Sequence, residues 1–493
     1  MTLPTFSPSM LAALLPEVSL LVLAGIVLIV DLVTRPRRTP GPRRRGLGYL
    51  TAIGLAAILV LVLIYGRPGE PTLVFGGMLR FDPASFAFAV LFLFAAAMTA
   101  LLSVDVDGVG DRGEYYFLVI VATIGLCLMA AAAYLIMLYL AIETASISLY
   151  VLAGYLKRDD KSTESGLKYF LFGALTSAVM LYGFSLLFGA TGQTNLYLLA
   201  DRVRQGGVSI ANGRLAFVGG AAILVFVGFA FKISAVPFHF WTPDVYEGAP
   251  TPATAFISTA SKVAGFAVLL RFLLAFAPPT STTWVVVLTA MAVATMTLGN
   301  LLALVQTNIK RLLAYSSIAH AGYALIGVVT LTALGAASSV FYLVAYVVTN
   351  LAAFAVVILF ARSAGSDRIA DYAGLSRRSP GLALVLLVAM LSLAGMPPLA
   401  GFVGKFYVFA AAVQSGLIWL AVIGVLNAII GLYYYLTVLK VVYLYRSPDE
   451  DKPIAVGTPY AIALGACVGL ILFIGVVSGP WLDRALAVAS SLF

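Results

Sequence analysis

Apolar residues fill this chain in long blocks, and polar residues collect in short gaps between them. Runs near or above 18 apolar residues recur from end to end, which is the length a helix needs to cross a bilayer. The pattern predicts 14 helices, over about residues 8–33, 46–66, 83–103, 115–133, 134–156, 166–190, 215–240, 253–276, 282–305, 312–333, 335–361, 381–413, 416–444 and 457–488. The longest connections fall between helices two and three, six and seven, and eleven and twelve, and none has the character of a domain linker. The expected fold class is an all-α polytopic membrane protein, a single membrane domain over 1–493.

Composition agrees with that reading. The 493 residues are 62% hydrophobic and 10% charged, against about 25% charged in soluble domains. No Lys or Arg precedes the first apolar run and six arginines follow it, the reverse of a secretory signal. The basic residues also set an orientation. Arg35, Arg37, Arg38, Arg43, Arg44 and Arg45 put the first loop in the cytoplasm and the N-terminus outside. Alternate loops then carry Arg112; Lys157, Arg158, Lys161 and Lys168; Lys310 and Arg311; Arg362, Arg368, Arg377 and Arg378; and Arg446 and Lys452. The other side holds Arg67, Arg80, Arg202, Arg204, Arg214, Arg271 and Arg484, so the balance is 19 against 7. The net charge of +9 is then cytoplasmic anchoring, and no nucleic-acid partner is expected. Cys127 and Cys467 lie in apolar runs and cannot ligate an iron–sulfur cluster alone. Gly108, Gly110 and Gly113 fit G-x-G-x-x-G, but they join two membrane helices without the strand a dinucleotide site needs.

Few ionisable residues remain inside the helices. Glu143 is in helix five, Lys232 in helix seven, Lys262 in helix eight, His320 in helix ten and Lys405 in helix twelve. A cation near the bilayer centre costs roughly 2.5–3.5 kcal/mol on insertion scales, so such residues point to function. Lys262 and His320 lie about 12–14 Å inside their cytoplasmic helix ends, close to half of a ~30 Å core. Glu143 and Lys232 come out at similar depth, which suggests one layer parallel to the membrane plane. Pro237 follows Lys232, and Pro397 and Pro398 precede Lys405, so helices seven and twelve should be broken beside their lysines. Broken backbone is tolerated at that depth only against protein or a watery cavity.

Lys232 and Lys405 are 173 residues apart, each in a broken helix. That spacing suggests two inverted five-helix repeats, helices four to eight (115–276) and nine to thirteen (282–444). They would follow three N-terminal helices (1–114) and precede a C-terminal helix (457–493). The same offset carries Glu143 to Ser316, on the helix of His320. Desolvation weakens a lysine's hold on its proton and a carboxylate within ~4–6 Å strengthens it. A Glu143–Lys232 pair could therefore switch, with Lys262, His320 and Lys405 passing the proton on. Structural alternatives stay open: an ion pair at Glu143 and Lys232, a carbonyl bond at Lys262, helix packing at His320, a helix cap at Lys405. Glu17 and His239 have no assigned role.

The segments FKISAVPFHFWTPDVYEGAPTPATAFISTASK, SSIAHAGY and GMPPLAGFVGKFYVF resemble the antiporter-like membrane subunits of respiratory complex I, NADH:quinone oxidoreductase, and most of all its subunit N (subunit 2) group. The resemblance covers nearly the whole chain. It implies a membrane-arm subunit that translocates protons, driven by quinone reduction elsewhere in the complex. It places the family's helix-five glutamate at Glu143, its lysines at Lys232, Lys262 and Lys405, and a histidine at His320. It implies no cofactor on this chain, with flavin, iron–sulfur clusters and quinone in partner subunits. The implied partners are other complex I subunits, above all the sister antiporter-like subunit and the small membrane subunits, together with membrane lipids. The implied location is the bacterial cytoplasmic (inner) membrane. Two other readings compete: a subunit of a multi-subunit sodium/proton antiporter, and a structural membrane anchor.

Overall fold

A computed structural model describes residues 8–34, 45–204, 214–276, 282–449 and 452–492. Arg35, Arg37, Arg38, Arg43 and Arg44, the bulk of the first-loop anchor, lie outside the described residues. Helices follow the apolar runs. They are α1 (Leu15–Thr34), α2 (Arg45–Tyr65), α3 (Pro83–Ser103), α4 (Gly113–Ala131), α5 (Leu135–Ala153), α6 (Asp160–Thr191), the halves α7a (Arg214–Ile233) and α7b (Trp241–Gly248), and α8 (Thr251–Phe276). After them come α9 (Thr282–Ala303), α10 (Ile309–Val329), α11 (Ala333–Ala364), the halves α12a (Pro380–Ala394) and α12b (Ala400–Gln414), α13 (Ile418–Leu444), α14 (Thr458–Val476) and α15 (Gly479–Ser490). Among the described residues twelve helices are long and apolar enough to cross a membrane, while α7a, α12a and α12b are shorter.

Local chemistry sets the ends. Asp82 accepts from the Ser85 amide and Ser85 returns a bond to the Asp82 amide, a capping box with Pro83 at the first position of α3. Asp159, Asn308 and Thr332 cap α6, α10 and α11 through their side chains. Gly192, Gly365 and Gly395 end α6, α11 and α12a in left-handed conformations that glycine reaches without steric cost.

The structure breaks helices seven and twelve as expected, and it differs from the sequence reading at the last helix and in one loop. Helix seven ends at Ile233 rather than 240, because Pro237 cannot donate to the ladder. The predicted helix 381–413 is two helices, parted at Gly395–Leu399 around Pro397 and Pro398. The last predicted helix, 457–488, is α14 and α15, separated at Val477 and Ser478. A short antiparallel hairpin, β1 (Thr72–Val74) on β2 (Leu79–Phe81), occupies the loop before α3. The peptide bonds before Pro237 and Pro398 are cis.

Three helices form the inside of the bundle. The apolar windows of α8, α10 and α11 are 100%, 94% and 94% buried, against 33–39% for α1, α2, α9, α13 and α14. Lys262 and His320 are on two of these inner helices, out of reach of lipid. Two sets of neighbours recur along the chain. In the first, α4 packs on α5, α6 on α7a and α7b, and α7a on α8; in the second, α9 packs on α10, α11 on α12a and α12b, and α12a on α13. The sets meet where α7b packs on α10 and the start of α8 packs on α11.

Candidate functional site

Lys232 occupies the last turn of α7a and is 5% exposed. Its ammonium donates to Ser146 Oγ on α5 at 2.7 Å. Glu143, one turn earlier on α5, is half-buried and accepts from the Ser177 hydroxyl of α6. The direct Glu143–Lys232 pair is not formed: no ion pair within 4 Å joins them among the described residues. A serine stands between carboxylate and amine on one helix face, since positions i and i+3 are neighbours there. A small cavity about the size of one water opens at this spot, with Ser146, Thr176, Ser177 and Lys232 on its wall.

Lys262 follows a π turn at Ile257–Ser261 in α8. It is 2% exposed, and its ammonium donates to the Ser317 carbonyl at 2.7 Å and the Ser317 hydroxyl at 2.5 Å. The π turn alters the backbone ladder just ahead of the lysine. The Ser258 carbonyl inside it lies 3.1 Å from the Tyr346 hydroxyl, which is also 2.8 Å from Ser317 Oγ. Asn350 donates to Ser258 Oγ at 2.8 Å and to Tyr346 Oη at 3.2 Å. Gly265 brings α8 against α7a, because a Cβ there would lie 3.0 Å from Lys232 Cβ and 2.8 Å from Ile233 Cγ2. No hydrogen-bonded link between Lys232 and Lys262 is found among the described residues.

His320 is held by two phenols, Tyr342 at 2.6 Å from Nδ1 and Tyr435 at 3.1 Å from Nε2. Each hydroxyl can give or take a proton, so either neutral tautomer is satisfied. Ser316 lies 2.5 Å from the same Tyr435 hydroxyl. The His320 ring is 5.3 Å from the Tyr346 ring and 5.8 Å from the Tyr323 ring, centroid to centroid. Lys405, in the second turn of α12b, is 5% exposed. It donates to the carbonyls of Leu393 at 2.9 Å and Ala394 at 2.8 Å, the open end of α12a. Its ammonium also lies 4.8 Å from the centre of the Tyr323 ring.

From Lys262 to Lys405 the space is thus lined by Ser317, Tyr346, His320, Tyr342 and Tyr323. Hydrogen bonds run from Lys262 through Ser317 to Tyr346 and join His320 to Tyr342, ring contacts join Tyr346 to His320 and Tyr342 to Tyr323, and a cation–π contact joins Tyr323 to Lys405. Glu17 is 8% exposed, and its Oε2 has no hydrogen-bond partner among the described residues. His239, beside Pro237, has an unpartnered Nδ1 on the same terms.

Two charged clusters lie outside the row. Arg271 is inside α8 at 3% exposure and grips Asp82 through two nitrogens at 2.8 and 3.0 Å, with Tyr197 Oη at 2.7 Å. Its position within the apolar run LLRFLLAF was a signal that an intramembrane partner was needed. On α7b, Asp244 accepts from Lys168 at 2.6 Å and Arg311 at 2.8 Å. Glu247 accepts from Lys161 at 2.9 Å and Arg311 at 3.0 Å. Burial alone would raise both carboxyls, but these cations hold both below the ordinary carboxylate range. The described residues contain no group of three or more His, Cys, Asp or Glu side chains placed to hold a metal ion.

Residues 132–431 match the family model described as NADH:quinone oxidoreductase/Mrp antiporter, TM. The NADH-quinone oxidoreductase subunit N of Moorella thermoacetica is 44% identical over 456 residues, 92% of this chain and 94% of that one. A chain of respiratory complex I from Thermus thermophilus with bound aureothin superposes with a TM-score of 0.78 at 36% identity, covering 95% of this chain and 98% of that one. A chain of the Mrp complex from Dietzia sp. DQ12-45-1b shares the fold, with a TM-score of 0.85 at 19% identity over 99% and 98% of the two chains.

Proposed function

The chain belongs to the subunit N group of NADH-quinone oxidoreductase, within the antiporter-like membrane family, and from that premise we propose that it carries protons along the row Lys232, Lys262, His320 and Lys405. The observation that supports this reading is the burial of all four, with Lys232, Lys262 and His320 hydrogen-bonded to hydroxyl groups able to relay a proton. Glu143 biases the first step through its charge, one turn from the serine that Lys232 holds. Ser317 takes the Lys262 ammonium and touches Tyr346, whose ring reaches His320. Water completes the path where side chains leave gaps, as at the cavity beside Lys232. Lys405 holds the proton at the end of α12a before release. Driving energy comes from quinone reduction in partner subunits that hold flavin and iron–sulfur clusters.

The same reading includes fourteen crossings, with α7a as one and α12a with α12b as another. Its two recurring neighbour sets are inverted repeats over 115–276 and 282–444, after three helices in 1–114 and before the C-terminal segment 457–493. It sets the chain in the bacterial inner membrane with the N-terminus outside, next to the sister antiporter-like subunit, the small membrane subunits and lipid. The test is the intact complex in proteoliposomes with Lys262→Ala. Proton uptake per quinone reduced should fall several-fold while the complex still assembles. Uptake equal to wild type would remove Lys262 from the path.

A further inference from the structure

Away from the lysine row, a cleft of about 260 Å³ opens between α2, α3, α11, α14 and α15. Phe86, Val90 and Phe94 of α3 line one wall, and Val340, Val344 and Val348 of α11 the other. A spacing of four keeps each trio on one helix face. Each trio rises eight residues, about 12 Å, close to the ~15 Å that one leaflet contributes to the core. At the end formed by α15 lie Trp481 and Arg484, and Arg484 is the one ionisable side chain on the described lining. Its guanidinium carbon is 5.9 Å from the Trp481 ring, and among the described residues no carboxylate lies within 4 Å of its nitrogens. An aromatic residue paired with a cation at a helix end is the arrangement found at headgroup level.

We propose that this cleft binds one anionic phospholipid, an acyl chain lying between α3 and α11 and the phosphate on Arg484. Water gains nothing there, because the walls offer it no polar partners. A helix from another subunit, roughly 10–12 Å across with its side chains, is too wide for the slot. An acyl chain fits its shape and its depth of one leaflet, and a guanidinium pairs a phosphate with two parallel hydrogen bonds. The lipid would fasten α2 and α3 to α11, the long inner helix that carries Tyr342 and Tyr346.

The test is to wash the purified complex in detergent and quantify the phospholipid it retains by mass spectrometry. Val344→Trp, which fills the slot, should lower retained phospholipid by about one molecule per complex. Arg484→Ala should keep the lipid but, for the one molecule that Val344→Trp removes, lower the ratio of anionic to zwitterionic headgroups about tenfold, the scale of one charge-assisted hydrogen bond. If Val344→Trp fails to assemble, a phospholipid with a photoreactive acyl chain can be crosslinked in the wild-type complex, and labels should map to Val344, Val90 and Phe94. Equal phospholipid in wild type and Val344→Trp, labels confined to the outer faces of the bundle, or loss of bound quinone in place of phospholipid would each overturn the proposal. An unchanged headgroup ratio in Arg484→Ala would overturn the choice of an anionic phospholipid over a zwitterionic one.

Discussion

Lys232 closes α7a and Lys405 opens α12b, so both amines sit at a break in a membrane helix, yet different atoms receive them. Lys232 meets a serine hydroxyl at 2.7 Å, with the Glu143 carboxylate one turn beyond. Lys405 meets two backbone carbonyls and the face of a tyrosine, with no carboxylate. The offset of 173 residues that relates the lysines carries Glu143 to Ser316, whose partner is the Tyr435 hydroxyl. The first break therefore offers its lysine a side chain that can rotate and a charge that can be tuned. The second offers fixed dipoles at a helix C-terminus, where the macrodipole favours a cation. A group that must change its hold on a proton suits the first setting, and a group that stores one suits the second.

The largest effect that would break this contrast comes from Glu143→Gln. It removes the charge but keeps an oxygen for the Ser177 hydroxyl. If the first site is the tunable one, proton uptake per NADH oxidised should fall about tenfold, the rate equivalent of about 1.4 kcal/mol. Stopped-flow dye measurements on the reconstituted complex read this directly. No single side-chain neutralisation around Lys405 has a counterpart, because its partners are backbone. Uptake at the wild-type level in Glu143→Gln would erase the difference between the two sites.

A smaller effect is expected at the second break from Gly395→Ala. Gly395 has φ of +90°, and a Cβ there would lie 2.8 Å from Lys405 Cδ. The backbone term is roughly 1–3 kcal/mol, and the new methyl pushes the lysine away from the carbonyls that hold it. The thermal midpoint of the complex should drop by a few degrees, and pumping should drop with it. A variant with wild-type stability and wild-type pumping would show that Lys405 does not depend on the end of α12a.

What could be read in advance divides along the same line. Lysines, a glutamate and prolines stand out in apolar runs because each carries a cost there, so the buried ionisable residues and both breaks were legible. The partners were not. Ser146, Ser177 and Ser317 look like any small residue in a membrane helix, where a hydroxyl commonly returns to the carbonyl four residues back, as Ser103 does to Thr99. Tyr342, Tyr346 and Tyr435 read as core aromatics until the helices are placed side by side. The split of the last predicted helix at Ser478 was missed although Ser478, Gly479 and Pro480 form a turn signal and Asp483 and Arg484 interrupt the apolar run. Arg271 was counted only as a basic residue on the outer side, and its place opposite the α3 cap at Asp82 shows why its charge is tolerated inside α8.

The smallest expected effect concerns how each break is held from outside. The α7b helix is tied to α6 and α10 by Asp244 and Glu247 with Lys161, Lys168 and Arg311. On α12b, Tyr407 donates to Ser478 Oγ, just before α15, at 3.2 Å, a contact that carries no charge. A carboxylate held below its unfolded pKa adds stability above that value, near pH 4, and surrenders it as pH falls through the lower folded value. Both acids of the clamp lie on that side. Amides of residues 241–248, corrected for intrinsic exchange, should therefore keep constant hydrogen-exchange protection from pH 8 to about 5 and lose it only below about 4. Asp244→Asn should speed that exchange about two- to five-fold at pH 7 and low salt, the scale of a half-exposed ion pair, with the gap narrowing as salt rises. Residues 400–414 should respond to neither change. If they lose protection in step with α7b, the charges on the first break govern both halves of the molecule, and the two breaks are one device.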